Sequence, residues 1–188
     1  MAIMDSLVHI ITKMMGIRLL DNPLTPNFYD LKNVIKDVNF PWYFKESSTE
    51  HLRKDGYIDM PSYAHPFLKR PELNNYRYPY PISEYLDLAA TVCLQILSHN
   101  NIDCQCFLRI AANCIHPQKQ IYKSIPHEDH NFKHKNLIIY YTNFGGKTMC
   151  EDDEHDPKEN DVILFNGEHY MESPVNDRRI ILVSTFIE

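Results

Sequence analysis

The spacing of hydrophobic residues along this chain changes at about residue 100. Before that point, apolar side chains recur every three or four residues in three stretches, at about 7–15, 26–37 and 82–98. Thr25 followed by Pro26 is a typical helix start, and Ser83 lies at the start of the third stretch, before its first periodic apolar residue Leu86. The pattern predicts an amphipathic helix in each stretch, with a short strand at 17–20 between the first two.

After residue 100, the apolar residues occur in short continuous runs. These runs lie at about 104–113, 137–141, 161–165 and 179–186, and they are rich in Ile, Leu, Val and Phe. Runs of this length and composition indicate strands that are buried on both faces. The hydrophobic pattern alone therefore predicts a mixed chain whose second half is rich in β-structure, which is an α+β arrangement.

Residues 45–81 show no sustained periodicity and are rich in Pro, Tyr, Asn and charged residues. We expect a long loop region there. A loop of this length is usually functional or disordered, and its aromatic content argues against disorder. Two interpretations stay open, a lid over a substrate and a structural wrap over the core.

Length and composition limit the class of protein. The 188 residues suit one domain, 1–188, with helical support and the lid region in about 1–100 and the β-rich core in about 104–188. The net charge of −6, without a basic run, argues against a nucleic-acid partner. Five cysteines without a Cys-x-x-Cys pattern favour free thiols in a reducing, cytoplasmic compartment. The N-terminus does not resemble a signal peptide, and no membrane partner is expected.

The candidate chemistry begins at His127-Glu128-Asp129. In an extended segment, side chains two residues apart point the same way, so His127 and Asp129 would face one metal ion together. His169, which follows the apolar run at 161–165, is the candidate for the third ligand. Two histidines and one carboxylate form a facial triad, which suits Fe(II) and leaves coordination positions open. Chance alone would produce roughly 0.7 His-x-Asp triplets in this chain, so the surroundings must support the assignment.

Those surroundings form an ordered set that resembles the prolyl 4-hydroxylase-like branch of the Fe(II)/2-oxoglutarate oxygenases. The resemblance covers about a third of the chain, from Pro126 onward. Its members are the His-x-Asp triplet, Ile139-Tyr-Tyr-Thr-Asn143, Gly145-Gly146-x-Thr148, Pro157-Lys158, His169, Pro174, Arg179, Leu182 and Phe186. The resemblance implies a double-stranded β-helix, or jelly roll, barrel that N-terminal helices buttress.

The resemblance also implies a role for each matching residue. His127, Asp129 and His169 match the iron ligands, and Arg179 matches the base that pairs with the distal carboxylate of 2-oxoglutarate. Tyr141 matches a tyrosine whose hydroxyl binds that same carboxylate. Thr148 matches a residue that lines the cosubstrate pocket.

Two assignments compete with this set. The segment from His169 to Pro174 is one residue longer than the family spacing, so Arg178 is an alternative anchor. Arg179 is preferred because only it gives the spacing Arg-x-x-Leu-x-x-x-Phe. His130 and His134 could form a zinc pair on a helix, although their neighbours favour a polar loop.

The expected function is that of an Fe(II)- and 2-oxoglutarate-dependent dioxygenase that uses O2 to hydroxylate a C–H bond. A prolyl residue of a peptide or protein is one substrate, and a free amino acid or another small molecule is the alternative. A jelly-roll module that binds a metal or small molecule without turnover is the rival from a different class. The sequence does not indicate the oligomeric state.

Overall fold

The computed structural model describes residues 16–47, 53–70, 78–143 and 145–188. The predicted helix at 7–15 lies outside these ranges. Within them, the elements in chain order are β1 (Arg18–Leu20), α1 (Pro26–Lys36), β2 (Tyr43–Lys45), β3 (Ser62–Lys69), β4 (Tyr80–Pro81), α2 (Leu86–His99), β5 (Cys106–Ile115), β6 (Lys135–Tyr140), β7 (Thr148–Cys150), β8 (Asp153–His155), β9 (Val162–Phe165), β10 (His169–Met171) and β11 (Arg179–Ile187).

Both described helices follow from local sequence. Thr25 caps α1 by accepting a hydrogen bond from the backbone N–H of Phe28, and Pro26 occupies the first turn, where a missing N–H costs nothing. Residues three or four apart are buried in each helix, namely Phe28, Leu31 and Ile35 in α1, and Ala89, Val92, Cys93, Ile96 and Leu97 in α2. Neither described helix is long and apolar enough to cross a bilayer.

Eight strands form one large antiparallel sheet in the order β1-β9-β6-β11-β5-β3-β2, with β4 paired to β3. The central strand is β11, which pairs with β5 on one side and with β6 on the other. Its nine residues alternate between two packed faces. Ile180, Leu182 and Phe186 join the core that contains the helices, whereas Ile181 and Val183 join a second core on the opposite face.

The same alternation runs through β6 and β9. Leu137 and Ile139 of β6 face the helices, and Ile138 and Tyr140 face the second core. Because both faces of the sheet are covered, these strands are continuous apolar runs in the sequence. The predicted β-rich second half is therefore present, with the helices on one face of the sheet.

A small sheet in the order β10-β7-β8 covers the second face. Residues 122–127 extend it along β10: the N–H of Ser124 donates to the carbonyl of Met171 at 2.8 Å, and His127 and His169 form an isolated antiparallel bridge. Two antiparallel sheets packed face to face agree with the expected jelly roll. In the described residues, however, hydrogen bonds do not close the two sheets into a barrel.

The prediction of an irregular loop over residues 45–81 is wrong in its middle part. Residues Ser62–Lys69 form β3, which lies between β2 and β5 in the large sheet. Pro66 interrupts the strand pattern in the sequence, and the register of β3 against β5 shifts between Pro66 and Leu68. A proline and an irregular register of this kind hide a strand from a period-2 search.

Because β11 is the central strand, truncating a side chain on its helix-facing side should destabilise the fold strongly. Leu182 is 0% exposed, so Leu182→Ala should lower the free energy of unfolding by about 2–5 kcal/mol in a urea titration. Ile121→Ala is the control, because Ile121 is 57% exposed and its truncation should change the free energy of unfolding by no more than about 0.5 kcal/mol. Equal small effects in both variants would contradict the two-core description.

Candidate metal and cosubstrate site

The candidate site is a pocket between the inner faces of the two sheets. The large sheet contributes apolar walls from β6, β9 and β11, and the small sheet contributes the end of the 122–127 segment and β10. Residues that line it include Arg70, Arg109, His127, Asp129, Asn136, Ile138, Thr148, Phe165, His169, Arg179, Ile181 and Val183. The pocket therefore contains the three predicted metal ligands and the predicted anchor arginine.

His127 and His169 are held side by side by their own backbones. Each donates its N–H to the other's carbonyl at 3.0 Å, which is the pairing of two antiparallel strands. The centroids of the two imidazole rings are 4.6 Å apart. Two residues that are 42 positions apart in sequence thus present their rings to the same space because two short segments pair there.

The hydrogen bonds of the two rings fix which nitrogen is free. Nδ1 of His127 lies 3.0 Å from the carbonyl oxygen of Ile125, and Nδ1 of His169 lies 3.2 Å from that of Gly167. A carbonyl only accepts, so in each ring Nδ1 carries a proton and Nε2 is the nitrogen that remains available for a metal. A histidine whose other nitrogen donates to a backbone carbonyl is the usual arrangement for a metal ligand.

Asp129 is buried and uses its two carboxylate oxygens differently. Oδ1 accepts a hydrogen bond from Nη1 of Arg109 at 2.8 Å, and Oδ2 lies 3.7 Å from Nε2 of His169. Arg70 donates to the main-chain carbonyl of Asp129 and approaches Oδ1 to 3.5 Å. Oδ2 is therefore the oxygen directed toward the histidine side of the pocket.

The charges around Asp129 set its protonation and that of His169. Burial alone would raise the pKa of Asp129, but Arg109, the two histidines and Arg70 together hold it well below the usual range. Burial lowers the pKa of His169 to about 4, against the opposing effect of the Asp129 carboxylate. At neutral pH the pair consists of a carboxylate and a neutral imidazole, which are the forms that bind metals.

The donor set fits Fe(II), although no preformed cluster of three ligands exists among the described residues. Two neighbouring donors in an octahedral site with bonds of about 2.1 Å lie about 3.0 Å apart. Oδ2 of Asp129 and Nε2 of His169 are 3.7 Å apart, which exceeds that value by less than 1 Å. A small rotation of either side chain closes this difference. Two imidazoles and one carboxylate match the facial triad of non-haem iron sites.

Arg179 lies fully buried at the start of β11, with 1% of its surface exposed. Nη1 donates to the carbonyls of Gly145 and Gly146 at 2.9 and 2.8 Å, and Nη2 donates to Oγ1 of Thr148 at 2.7 Å. The guanidinium also lies over the ring of Tyr140, 5.3 Å from its centroid. No carboxylate of the described residues pairs with it, and its buried Nε has no hydrogen-bond partner.

The Gly145-Gly146 pair allows this arrangement. Both residues have a positive φ, of 150° and 62°, and a Cβ on Gly145 would lie 2.7 Å from Cβ and Cγ of Arg179. Any larger residue at 145 would therefore displace the arginine. This close approach is the physical reason for a glycine at position 145.

Comparison with known proteins adds to this geometry. No protein-family model and no curated protein sequence matches the chain. Among solved structures, it is similar to an oxidoreductase of the 2OG-Fe(II) oxygenase family from Burkholderia pseudomallei, with 12% identity, a TM-score of 0.65, and coverage of 97% of this chain and 89% of that one. A prolyl hydroxylase from Trichoplax adhaerens, in complex with a hypoxia inducible factor peptide fragment, gives 12% identity and a TM-score of 0.58 over 97% of this chain and 89% of that one.

A third similar structure is the collagen prolyl hydroxylase of Paramecium bursaria Chlorella virus-1 in complex with 2OG. It gives 15% identity and a TM-score of 0.52 over 91% of this chain and 95% of that one. These alignments span nearly the whole of both chains. The chain has the fold of the Fe(II)/2-oxoglutarate oxygenases. At these identities the likeness concerns the fold, and it agrees with the sequence resemblance to the prolyl 4-hydroxylase-like branch.

Within this oxygenase fold, the structure corrects one predicted site residue. Tyr141 is fully buried in the core on the helix side, where it packs against Phe28, and its hydroxyl has no hydrogen-bond partner. Its neighbour Tyr140 faces the second core, and the Tyr140 hydroxyl hydrogen-bonds to Oγ1 of Thr148 at 2.6 Å. Adjacent residues of an extended segment point to opposite faces, so the structure does not bring the Tyr141 side chain to the pocket.

The structure also shows where the alternative site residues lie, namely Arg178 and the pair His130 and His134. Arg178 is exposed at the surface, whereas Arg179 lines the pocket of the oxygenase fold. His130 and His134 are buried side chains of a loop whose residues 131–133 are exposed, and they do not lie on a helix. A ring nitrogen of His130 contacts Thr185, and His134 contacts the carbonyl of Phe132. Thr148 lies where the prediction put it, in the pocket wall beside Arg179.

Arg70, Arg109 and Asn136 are pocket residues that the sequence did not indicate. Arg70 and Arg109 contact Asp129 from 59 and 20 residues away. No local spacing connects such pairs, and two isolated basic residues carry no motif. Only the pairing of β5 with β11 could have shown that Arg109 lies on the pocket face.

The assignment of Asp129 as a ligand predicts a specific loss of metal. Asp129→Ala removes the only carboxylate among the described residues that line the pocket, so the variant should retain little Fe(II) after anaerobic desalting, as measured by metal analysis. Glu128→Ala is the matched control, because Glu128 is the adjacent acidic residue and is exposed. Equal iron retention by the two variants would show that Asp129 is not a ligand.

Proposed function

We propose that this protein is an Fe(II)- and 2-oxoglutarate-dependent oxygenase that hydroxylates a C–H bond. The observation that supports this most directly is the buried guanidinium of Arg179, which has no anionic partner among the described residues and faces the pocket that contains His127, Asp129 and His169. A buried cation without a counter-ion is costly, and an acidic ligand in the pocket would compensate for its burial.

In this proposal, Nε2 of His127, Nε2 of His169 and Oδ2 of Asp129 hold the iron. These three side chains would hold Fe(II) from one side, so its other side would stay open to a chelating oxo acid and to O2. When bound, Fe(II) would supply the activation of O2 and the oxidative decarboxylation of 2-oxoglutarate. The residues of this chain supply the orientation of the reactants and a pocket that excludes water.

Arg179 anchors the distal carboxylate of 2-oxoglutarate. A guanidinium is planar, stays charged at every relevant pH and binds a carboxylate through parallel hydrogen bonds. Its orientation is already fixed by Gly145, Gly146 and Thr148, so little conformational entropy is lost when the cosubstrate binds. The hydroxyl of Tyr140 holds Thr148 in turn, and Tyr140 takes the place that the sequence had assigned to Tyr141.

The apolar walls complete the pocket. Ile138, Phe165, Ile181 and Val183 line it from the large sheet. These side chains offer no donor or acceptor, so they exclude water and strengthen the charge interactions of Asp129 and Arg179. A carboxylate at position 129 favours hydroxylation, because the halide-transferring relatives of these oxygenases have a small residue in that place.

The substrate class that we propose is a prolyl residue of a peptide or protein. Its support is the fold likeness, since the solved structures of this fold include prolyl hydroxylases and one of them contains a peptide. Free amino acids and other small molecules are the alternative substrates of the same chemistry. The rival is a module that binds metal and ligand without turnover.

Turnover separates the enzyme from the binding module. Fe(II), 2-oxoglutarate and O2 should yield succinate even without added substrate, and Asp129→Ala should not. A library of proline-containing peptides and a set of free amino acids, followed by mass spectrometry, should then show a product heavier by one oxygen atom. Iron-loaded protein that releases no succinate with any of these would support the binding module.

The anchor makes a second prediction, about the cosubstrate. Arg179→Ala should raise the apparent KM for 2-oxoglutarate by roughly 10- to 150-fold, which corresponds to the loss of about 1.5–3 kcal/mol for a hydrogen bond between charged groups. Arg178→Ala is the matched control and should leave that KM unchanged, because Arg178 is exposed. A larger effect of Arg178→Ala would move the anchor to the neighbouring residue.

A further inference from the structure

Three polar side chains form one row across the middle of the large sheet. Arg109 of β5 pairs in register with Thr185 of β11, and Thr185 pairs with Asn136 of β6. The adjoining pocket-facing positions of these strands are apolar, as at Ile138 and Val183. A polar row on the inner face of a buried sheet needs partners, because unpaired buried polar groups destabilise the fold.

Each member of the row contacts one side chain of the loop that carries the metal-ligand aspartate. Nη1 of Arg109 donates to Oδ1 of Asp129 at 2.8 Å. The hydroxyl of Thr185 and Nε2 of His130 are 2.8 Å apart, and the Asn136 amide nitrogen is 3.4 Å from a ring nitrogen of His134. The row thus connects the sheet to residues 129–134 at three successive points.

The contact of Arg109 differs from the other two because it reaches a ligand directly. The side chains of Arg109 and Asp129 are only 17% and 4% exposed, so solvent screens their ion pair little. The bond occupies Oδ1 and leaves Oδ2 toward His169. Rotation of the carboxylate would exchange the two oxygens, and the hydrogen bond to Arg109 opposes that rotation.

We propose that Arg109 is a positioning residue that fixes the Asp129 carboxylate so that Oδ2 is the metal donor. This inference rests on the proposed function, because it assumes that Asp129 binds the metal. The polar row holds the loop at Thr185 and Asn136, and Arg70 holds the main-chain carbonyl of Asp129. Removing the Arg109 side chain should therefore release the carboxylate while the loop backbone stays in place.

The test measures metal binding in the absence of turnover. Calorimetric titration with Co(II) should show Arg109→Ala binding about 10- to 100-fold more weakly than the wild type, which is the usual cost of losing a group that orients a ligand. Guanidinium chloride at a non-denaturing concentration should restore part of that affinity by occupying the vacated space. It should not restore binding in Asp129→Ala, and Arg178→Ala should bind Co(II) as the wild type does.

The outcomes separate this inference from the proposed function. Wild-type protein that fails to bind Co(II) would overturn the metal site itself. Wild-type protein that binds Co(II), with Arg109→Ala of equal affinity or without any rescue by guanidinium, would overturn the positioning role alone. If Arg109→Ala does not fold, Arg109→Met carries the test, since it fills a similar volume but cannot donate a hydrogen bond to Asp129, and equal affinity to wild type there would also overturn the role.

Discussion

The structure depends on the burial of one cation beside two sheets that exclude water. Arg179 is the first residue of the central strand, and both faces of that strand are covered. Burial lowers the pKa of Arg179, which reflects the cost of removing a charge from water, and the hydroxyl of Tyr140 opposes that shift. Two glycine carbonyls and Thr148 accept hydrogen bonds from the guanidinium. Its positive charge still lacks a neighbouring anion, which the described residues do not supply.

This constraint organises the rest of the pocket. A wall of apolar side chains keeps the dielectric constant low, which makes an acidic ligand bind more strongly at Arg179 and makes the pairing of Asp129 with Arg109 strong. The two histidines come from segments that pair with each other, so the backbone sets their separation. The proposed anchor, the proposed metal donors and the residue proposed to orient the carboxylate thus come from different strands and loops of one pocket.

Sequence reasoning recovered the parts that local pattern determines. The helices at Phe28 and at Val92 follow from apolar residues at helical spacing. The two polar side chains of the His-x-Asp triplet line the same pocket, as their spacing of two residues in an extended segment predicts. The resemblance associated Tyr141 with the cosubstrate, whereas its side chain lies in the core on the helix side. Because β6 is apolar on both sides, period-2 alternation does not indicate which face is the pocket. The choice between the two tyrosines needs the tertiary structure.

The parts that could not be predicted depend on long-range pairing. Strand β3 was hidden by Pro66, and its place between β2 and β5 is set by neighbours that are distant in sequence. Arg109 becomes informative only when its register opposite Thr185 is known, because that register places it on the pocket face beside Asp129.

The most direct measurement of the central claim is the absorption spectrum of the anaerobic protein with Fe(II) and 2-oxoglutarate. A weak visible charge-transfer band should form that neither component gives alone, because the oxo acid needs two adjacent free positions on the metal and a facial triad leaves them open. Admitting oxygen should bleach the band. Protein with full iron occupancy and excess 2-oxoglutarate that shows no band would contradict the account, because the metal and the anchor would then not hold the oxo acid together.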